Sequence, residues 1–218
     1  MNESRLERLA PLSGVVSVGL LVVGILLFNY YTFLPSGDDL ADFLNSNASL
    51  VSTGGYIGSL AAFFLIWFVG SLRSRLVQYE RGKGFLPTVA FSGGIAAAVV
   101  LGISFIGIFA AGLRASGPGG ITAIGAVSMY DFWTQLTGQL FAIFMAGLIS
   151  ATAVVSLRSR LFPAWFGWTS IIVAVGLLSP FAYAILAFAI IWLLVVSIWL
   201  YLKSAPVGEP SSAQVEPA

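Results

Sequence analysis

The chain has 218 residues, of which 58% are hydrophobic and only 9% charged, with a net charge of +1. A soluble domain carries about 25% charged residues, so this composition places the chain in the membrane class and excludes a basic nucleic-acid-binding domain. Cysteine and histidine are both absent, which excludes disulfides, thiol chemistry and Cys/His metal sites and removes the commonest proton carrier near neutral pH.

Residues 1–11 are short and polar, with Glu3, Arg5, Glu7 and Arg8. Leu12 to Leu34 then runs without a charge, longer than the roughly 20 residues needed to cross a bilayer. The run is too long for a signal-peptide core, and Phe28-Asn29-Tyr30-Tyr31 offers no small-x-small cleavage site. It is predicted to be the first of six membrane helices. Pro35 to Thr53 is a polar connection with Asp38, Asp39 and Asp42. Asp38 or Asp39 is expected to cap a short helix that lays Leu40, Phe43 and Leu44 on the bilayer surface.

The second span is read at 54–72, with the aromatic stretch Phe63 to Phe68 as lipid-facing and packing surface. The third, at 87–113, opens on Pro87 and carries Gly94, Ala98 and Gly102 at spacing four, a stripe that lets helices approach closely. After the turn-rich Ser116-Gly117-Pro118-Gly119-Gly120, the segment Ile121 to Trp133 is too apolar for a free loop. It reads as an interfacial helix or a re-entrant piece, with Met129, Tyr130, Phe132 and Trp133 at headgroup level. The fourth span, 135–157, has a second small-residue stripe at Gly138, Ala142, Ala146 and Ser150. The fifth is 163–178, ended by Ser179-Pro180, and the sixth is 182–202, ended by Lys203. The remainder, 204–218, is rich in Pro, Ser and Glu and is expected to be a disordered tail.

The hexamer Ser-Leu-Arg-Ser-Arg-Leu occurs twice, at Ser71–Leu76 and Ser156–Leu161, each time at the expected end of a span and ahead of a proline, Pro87 or Pro163. The pattern fits a parallel hairpin duplication, and equally the arginine-rich end that any inward-pointing helix needs. With six spans, Arg5, Arg8, Arg73, Arg75, Arg81, Lys83, Arg158, Arg160 and Lys203 fall on one side and Arg114 alone on the other. The positive-inside rule then sets both termini in the cytoplasm.

No Asp, Glu, Lys, Arg or His lies inside a predicted span, which argues against proton-coupled transport, a pump or an intramembrane metalloprotease. The polar residues near the outer face are Asn29, Arg114, Asp131, Gln135 and Gln139. They form either an outward-facing ligand pocket or an Arg114–Asp131 loop pair with amides bonding between helices. Two blocks, Gly55-Tyr56-Ile57-Gly58 through Leu72-Arg73-Ser74-Arg75-Leu76 with Val89 to Gly94, and Leu157 to Trp168, make the chain resemble a family of bacterial six-helix membrane proteins of unknown function, the DUF4386-type domain. The resemblance covers most of the membrane region. It implies the fold and a bacterial plasma-membrane setting, and assigns no activity to any residue.

The sequence therefore predicts an all-α polytopic bundle of six transmembrane helices, non-enzymatic, needing no cofactor, with membrane lipid, a second copy or a partner membrane protein as its contacts. A small permease or channel built on the hairpin repeat is the alternative, and a lipid-modifying enzyme using Arg114 and Asp131 the third.

Overall fold

The computed structural model describes residues 9–28, 36–80 and 84–203. Asn29, Arg81, Lys83, the first eight residues and the 204–218 tail lie outside them. The described chain is helical, with helices α1 (Leu12–Phe28), α2 (Gly37–Ser46), α3 (Ala48–Tyr79), α4 (Phe85–Ala115) and α5 (Ala123–Gln135), a five-residue π-helical turn (Leu136–Leu140), then α6 (Phe141–Ser159), α7 (Ala164–Leu177) and α8 (Ala182–Lys203). There is no strand among the described residues.

Apart from the short amphipathic α2, the helices are largely apolar all round, which in water would force complete burial. Here the outer surface stays apolar: Ile172 is 72% exposed, Phe181 75% and Trp165 66%. Such an exterior suits a bundle embedded in lipid. Four helical stretches are long and apolar enough to cross a membrane, namely Ala48–Tyr79, Phe85–Ala115, Ala123–Ser159 and Ala182–Lys203. The other two apolar helices, α1 and α7, have 17 and 14 residues, or about 26 and 21 Å at 1.5 Å per residue.

Lipid tails are as apolar as leucine, so burial alone gives helices in a bilayer little reason to associate; close packing must supply it. The sequence meets this with glycine. A Cβ at Gly24 on α1 would lie 2.9 Å from Gly58 Cα on α3. Gly112 of α4 similarly sits against the backbone of Ala48 and Ser52. The Gly94/Ala98/Gly102 stripe does face α3: Gly94 abuts Val69 and Gly102 abuts Ala62. In the second stripe Ala142 and Ala146 are buried. Buried hydroxyls tie the helices further. Ser17 donates to Ala61 O at 2.7 Å, and Trp192 Nε1 donates to Ser170 Oγ at 2.8 Å, joining α8 to α7.

Several boundaries differ from the sequence expectation. Ser36, rather than Asp38 or Asp39, caps α2: its hydroxyl accepts the Asp39 N–H at 3.2 Å and donates to Asp39 Oδ2 at 2.6 Å. This is a reciprocal cap, and the carboxylates take the first turn, where the helix dipole favours them. Leu40 and Leu44 point into the core instead of along the bilayer surface. Asn47 Nδ2 donates to Phe43 O at 2.9 Å and forms the joint from which α3 starts, well before Gly54. At its other end α3 runs past both arginines of the first hexamer. The segment after the glycine turn is helix α5, and it continues through the π turn into α6 as one 37-residue rod.

Candidate functional site

Arg114, Asp131 and Gln135 are exposed and Gln139 is half-buried. Among the described residues no hydrogen bond or ion pair joins any two of them. Gln139 Nε2 instead donates to Pro180 O at 3.4 Å, bracing the π turn against the start of α8. Arg114 ends α4 on one side of the glycine turn and Asp131 lies midway along α5 on the other, and both side chains are exposed. An exposed pair in that position gains little from meeting. Asn29 lies outside the described residues. No three Asp or Glu side chains come close enough to hold a metal ion among the described residues.

The structure places its interior space beside these residues. Two neighbouring cavities, of about 80 and 210 Å³, share Phe28, Ile108 and Trp133 as common wall. The smaller lies among α2, α4 and α5, with Leu40, Ser104, Gly107, Met129 and Leu136 around it. The larger lies among α1, α4, α8 and the π turn, with Leu21, Phe105, Thr137, Phe141 and Tyr183. Ile103 and Phe132 line the smaller cavity and are 51% and 65% exposed. That cavity therefore opens sideways, between α4 and α5, at a surface that is itself apolar.

Trp133 is the pivot of this region. Its ring packs edge-on to Phe28, with centroids 5.2 Å apart, and is tilted against Tyr130 at 6.1 Å. Its indole Nε1 is buried and has no hydrogen-bond partner among the described residues. An amide or hydroxyl donor withdrawn from water without a partner costs about 1–3 kcal/mol. The sequence reading puts Trp133 at headgroup level; in the structure its indole nitrogen is buried. The spacing held the signal: Met129, Tyr130, Trp133 and Leu136 recur as one helical face, and all four line the smaller cavity.

The far side of this region is closed by a clamp that sequence reasoning missed. Asn45 Nδ2 donates to Ile121 O at 3.1 Å, and Ile121 N–H donates to Asn45 Oδ1 at 2.9 Å, so one amide side chain ties α2 to the glycine turn before α5. Gly120, at φ +61°, allows the approach, since a Cβ there would stand 2.6 Å from Asn45 Oδ1.

A scan against protein-family models and searches of curated proteins and of solved structures find no match to this chain.

Proposed function

We propose that the chain is a six-span plasma-membrane protein with both termini cytoplasmic, and that it is a non-enzymatic bundle that holds the acyl chain of a membrane lipid in the paired cavities around Trp133. The buried, unpartnered Trp133 indole N–H in an apolar chamber carries this reading. A hydrocarbon chain fills the chamber, and one ester or carboxyl oxygen on it satisfies the donor. The sideways opening onto an apolar surface supports access from lipid rather than from water. The apolar walls favour a ligand site over the permease alternative, which calls for a wet polar path. The resemblance to six-helix membrane proteins of unknown function accords with α1 and α7 counting as short spans, a mismatch that local bilayer thinning absorbs.

The test is lipid retention. Gly107 and Ala187 line the smaller and the larger cavity, and a Cβ at Gly107 would meet nothing within 4 Å, so Gly107→Leu and Ala187→Phe add bulk at the two cavity walls. The double variant, purified in mild detergent, is expected to retain several-fold less lipid than the parent with its melting temperature unchanged. Equal retention would sink the reading. Trp133→Phe is expected to keep the chamber but abolish any preference for an ester-bearing chain over a plain alkane. Topology has its own check, because the chain holds no cysteine. Single cysteines at Ser116 and Ser74 are expected to label from opposite faces of the membrane, Ser116 from outside.

A further inference from the structure

At the other end of α4 the second hexamer and the residues just past the first border a different kind of space. A cavity of about 720 Å³ lies between the last turns of α3 and α6 and the first turn of α4. Glu80, directly after α3, points one carboxylate oxygen at α4, where Oε1 accepts the Leu86 N–H at 3.3 Å. Its other oxygen, Oε2, is buried and has no hydrogen-bond partner among the described residues. Arg158 and Arg160 line the same cavity, and among the described residues neither guanidinium forms a hydrogen bond or an ion pair. Among the described residues one oxygen of the carboxylate lacks a donor and two guanidinium groups lack an acceptor, all on residues that line one chamber, and they do not answer each other.

A ligand that satisfies both halves carries a charged N–H donor and a phosphate a few atoms apart. The ammonium suits the Glu80 carboxylate, and the carbonyl-bearing C-terminal ends of α3 and α6 add to the attraction for a cation. The phosphate suits the guanidinium forks of Arg158 and Arg160. A quaternary amine has no N–H to donate, and a glycerol headgroup has no positive charge to set against the carboxylate. We propose that this cavity binds a phosphoethanolamine group, with its primary ammonium on Glu80 and its phosphodiester on Arg158 and Arg160. The site stands independently of the acyl-chain cavities, which lie toward the opposite end of α4.

The experiment takes the full chain, stripped of lipid in detergent, and offers it phosphatidylethanolamine, phosphatidylcholine and phosphatidylglycerol with identical acyl chains, read by native mass spectrometry. Phosphatidylethanolamine is expected to bind about tenfold better than either rival, the factor one hydrogen bond to a charged group supplies. Glu80→Gln keeps an oxygen for Leu86 N–H and is expected to erase that advantage while leaving the other two lipids unchanged. The double change Arg158→Ala with Arg160→Ala is expected to weaken all three lipids several-fold, and Arg160→Gly, which suits the backbone there, guards against misreading a folding defect. Equal binding of phosphatidylethanolamine and phosphatidylcholine by the parent overturns the proposal. An advantage that survives Glu80→Gln, or a preference for phosphatidylglycerol, overturns it equally. Soluble glycerophosphoethanolamine at millimolar concentration separates the sources. Displacement of the lipid makes the headgroup alone sufficient, and resistance to displacement with the preference intact assigns the site to a bilayer lipid; both outcomes support the phosphoethanolamine chemistry.

Discussion

Between Ser71 and Leu76 the backbone is uninterrupted helix, and Leu72 and Leu76, one turn apart, are both fully buried. Between Ser156 and Leu161 the same six residues leave the helix at Ser159. Arg160 takes φ +58°, the left-handed conformation that usually falls to glycine, and Leu161 and Phe162 then turn into the core. Six identical residues cannot explain the difference, so the neighbours must. Pro163 stands two places after Leu161, where its ring would clash with the Ser159 carbonyl of a continuing helix; two places after Leu76 stands Gln78, which continues the helix freely. The closing bonds also differ. In the second copy Ser156 Oγ accepts the Phe162 N–H at 3.2 Å, and Lys203 Nζ donates to Leu161 O at 3.0 Å, so the exposed carbonyl and N–H of the break are both engaged. A repeated motif thus marks where a helix meets charge, and the residue just beyond it decides whether the helix stops.

The sharpest way to break this contrast is to give the first copy the second copy's neighbour. Gln78→Pro is expected to cost about 3 kcal/mol, seen as a large fall in melting temperature in detergent. Next in size is the contrast between the two hairpins. Gly112 packs on backbone, with the Ala48 carbonyl oxygen 2.8 Å from where its Cβ would stand, whereas Gly167 meets only the flexible end of Leu157. Gly112→Ala is expected to destabilise by about 2 kcal/mol and Gly167→Ala by less than about 1, and the same thermal unfolding series checks both. Trp192→Phe removes the indole that donates to Ser170 between α7 and α8 and is expected to cost about 1 kcal/mol. The smallest effect carries a change of sign. Arg75→Gly, in mid-helix, is expected to destabilise by about 1 kcal/mol, and Arg160→Gly, at a positive φ, to stabilise by about the same amount. Matching signs would show that the two copies share a backbone in solution.

The fold was legible wherever a breaker or a run of apolar residues fixed the outcome. The Ser179-Pro180 break, the start at Ala182 and the end at Lys203 match α8, and the Gly94/Ala98/Gly102 stripe faces a neighbouring helix as spacing four predicts. What stayed hidden depended on contacts across the fold. Arginine is a good helix former with a stem that lies along apolar surface, so Arg73 and Arg75 did not end α3; Arg73 instead rests over the Phe91 ring, 5.5 Å from its centroid. The Asn45–Ile121 clamp joins residues far apart in sequence, and no local pattern announces it. The outer polar residues were found by type, yet the space beside them belongs to apolar side chains, and neither Arg114 nor Asp131 lines it. Glu80, which falls outside every predicted span, gains its meaning only from the two helix ends that bracket it.

The π-helical turn at Leu136–Leu140 sets the phase of one rod against the other. Eight positions separate Trp133 from Phe141, which in an ideal α-helix would leave them about 80° apart around the axis. A π-bulge takes up one extra residue without advancing the helical phase, and the pair then differ by only about 20°. Both accordingly reach the same chamber, as does Thr137 between them. The chamber wall is therefore kept by a tally of residues as much as by their kinds. Straightening this turn into plain α-helix with every residue kept would rotate α5 by about 100° relative to α6 and swing the indole away from the space it now borders, whereas removing one residue from the turn at the same time would restore the present phase.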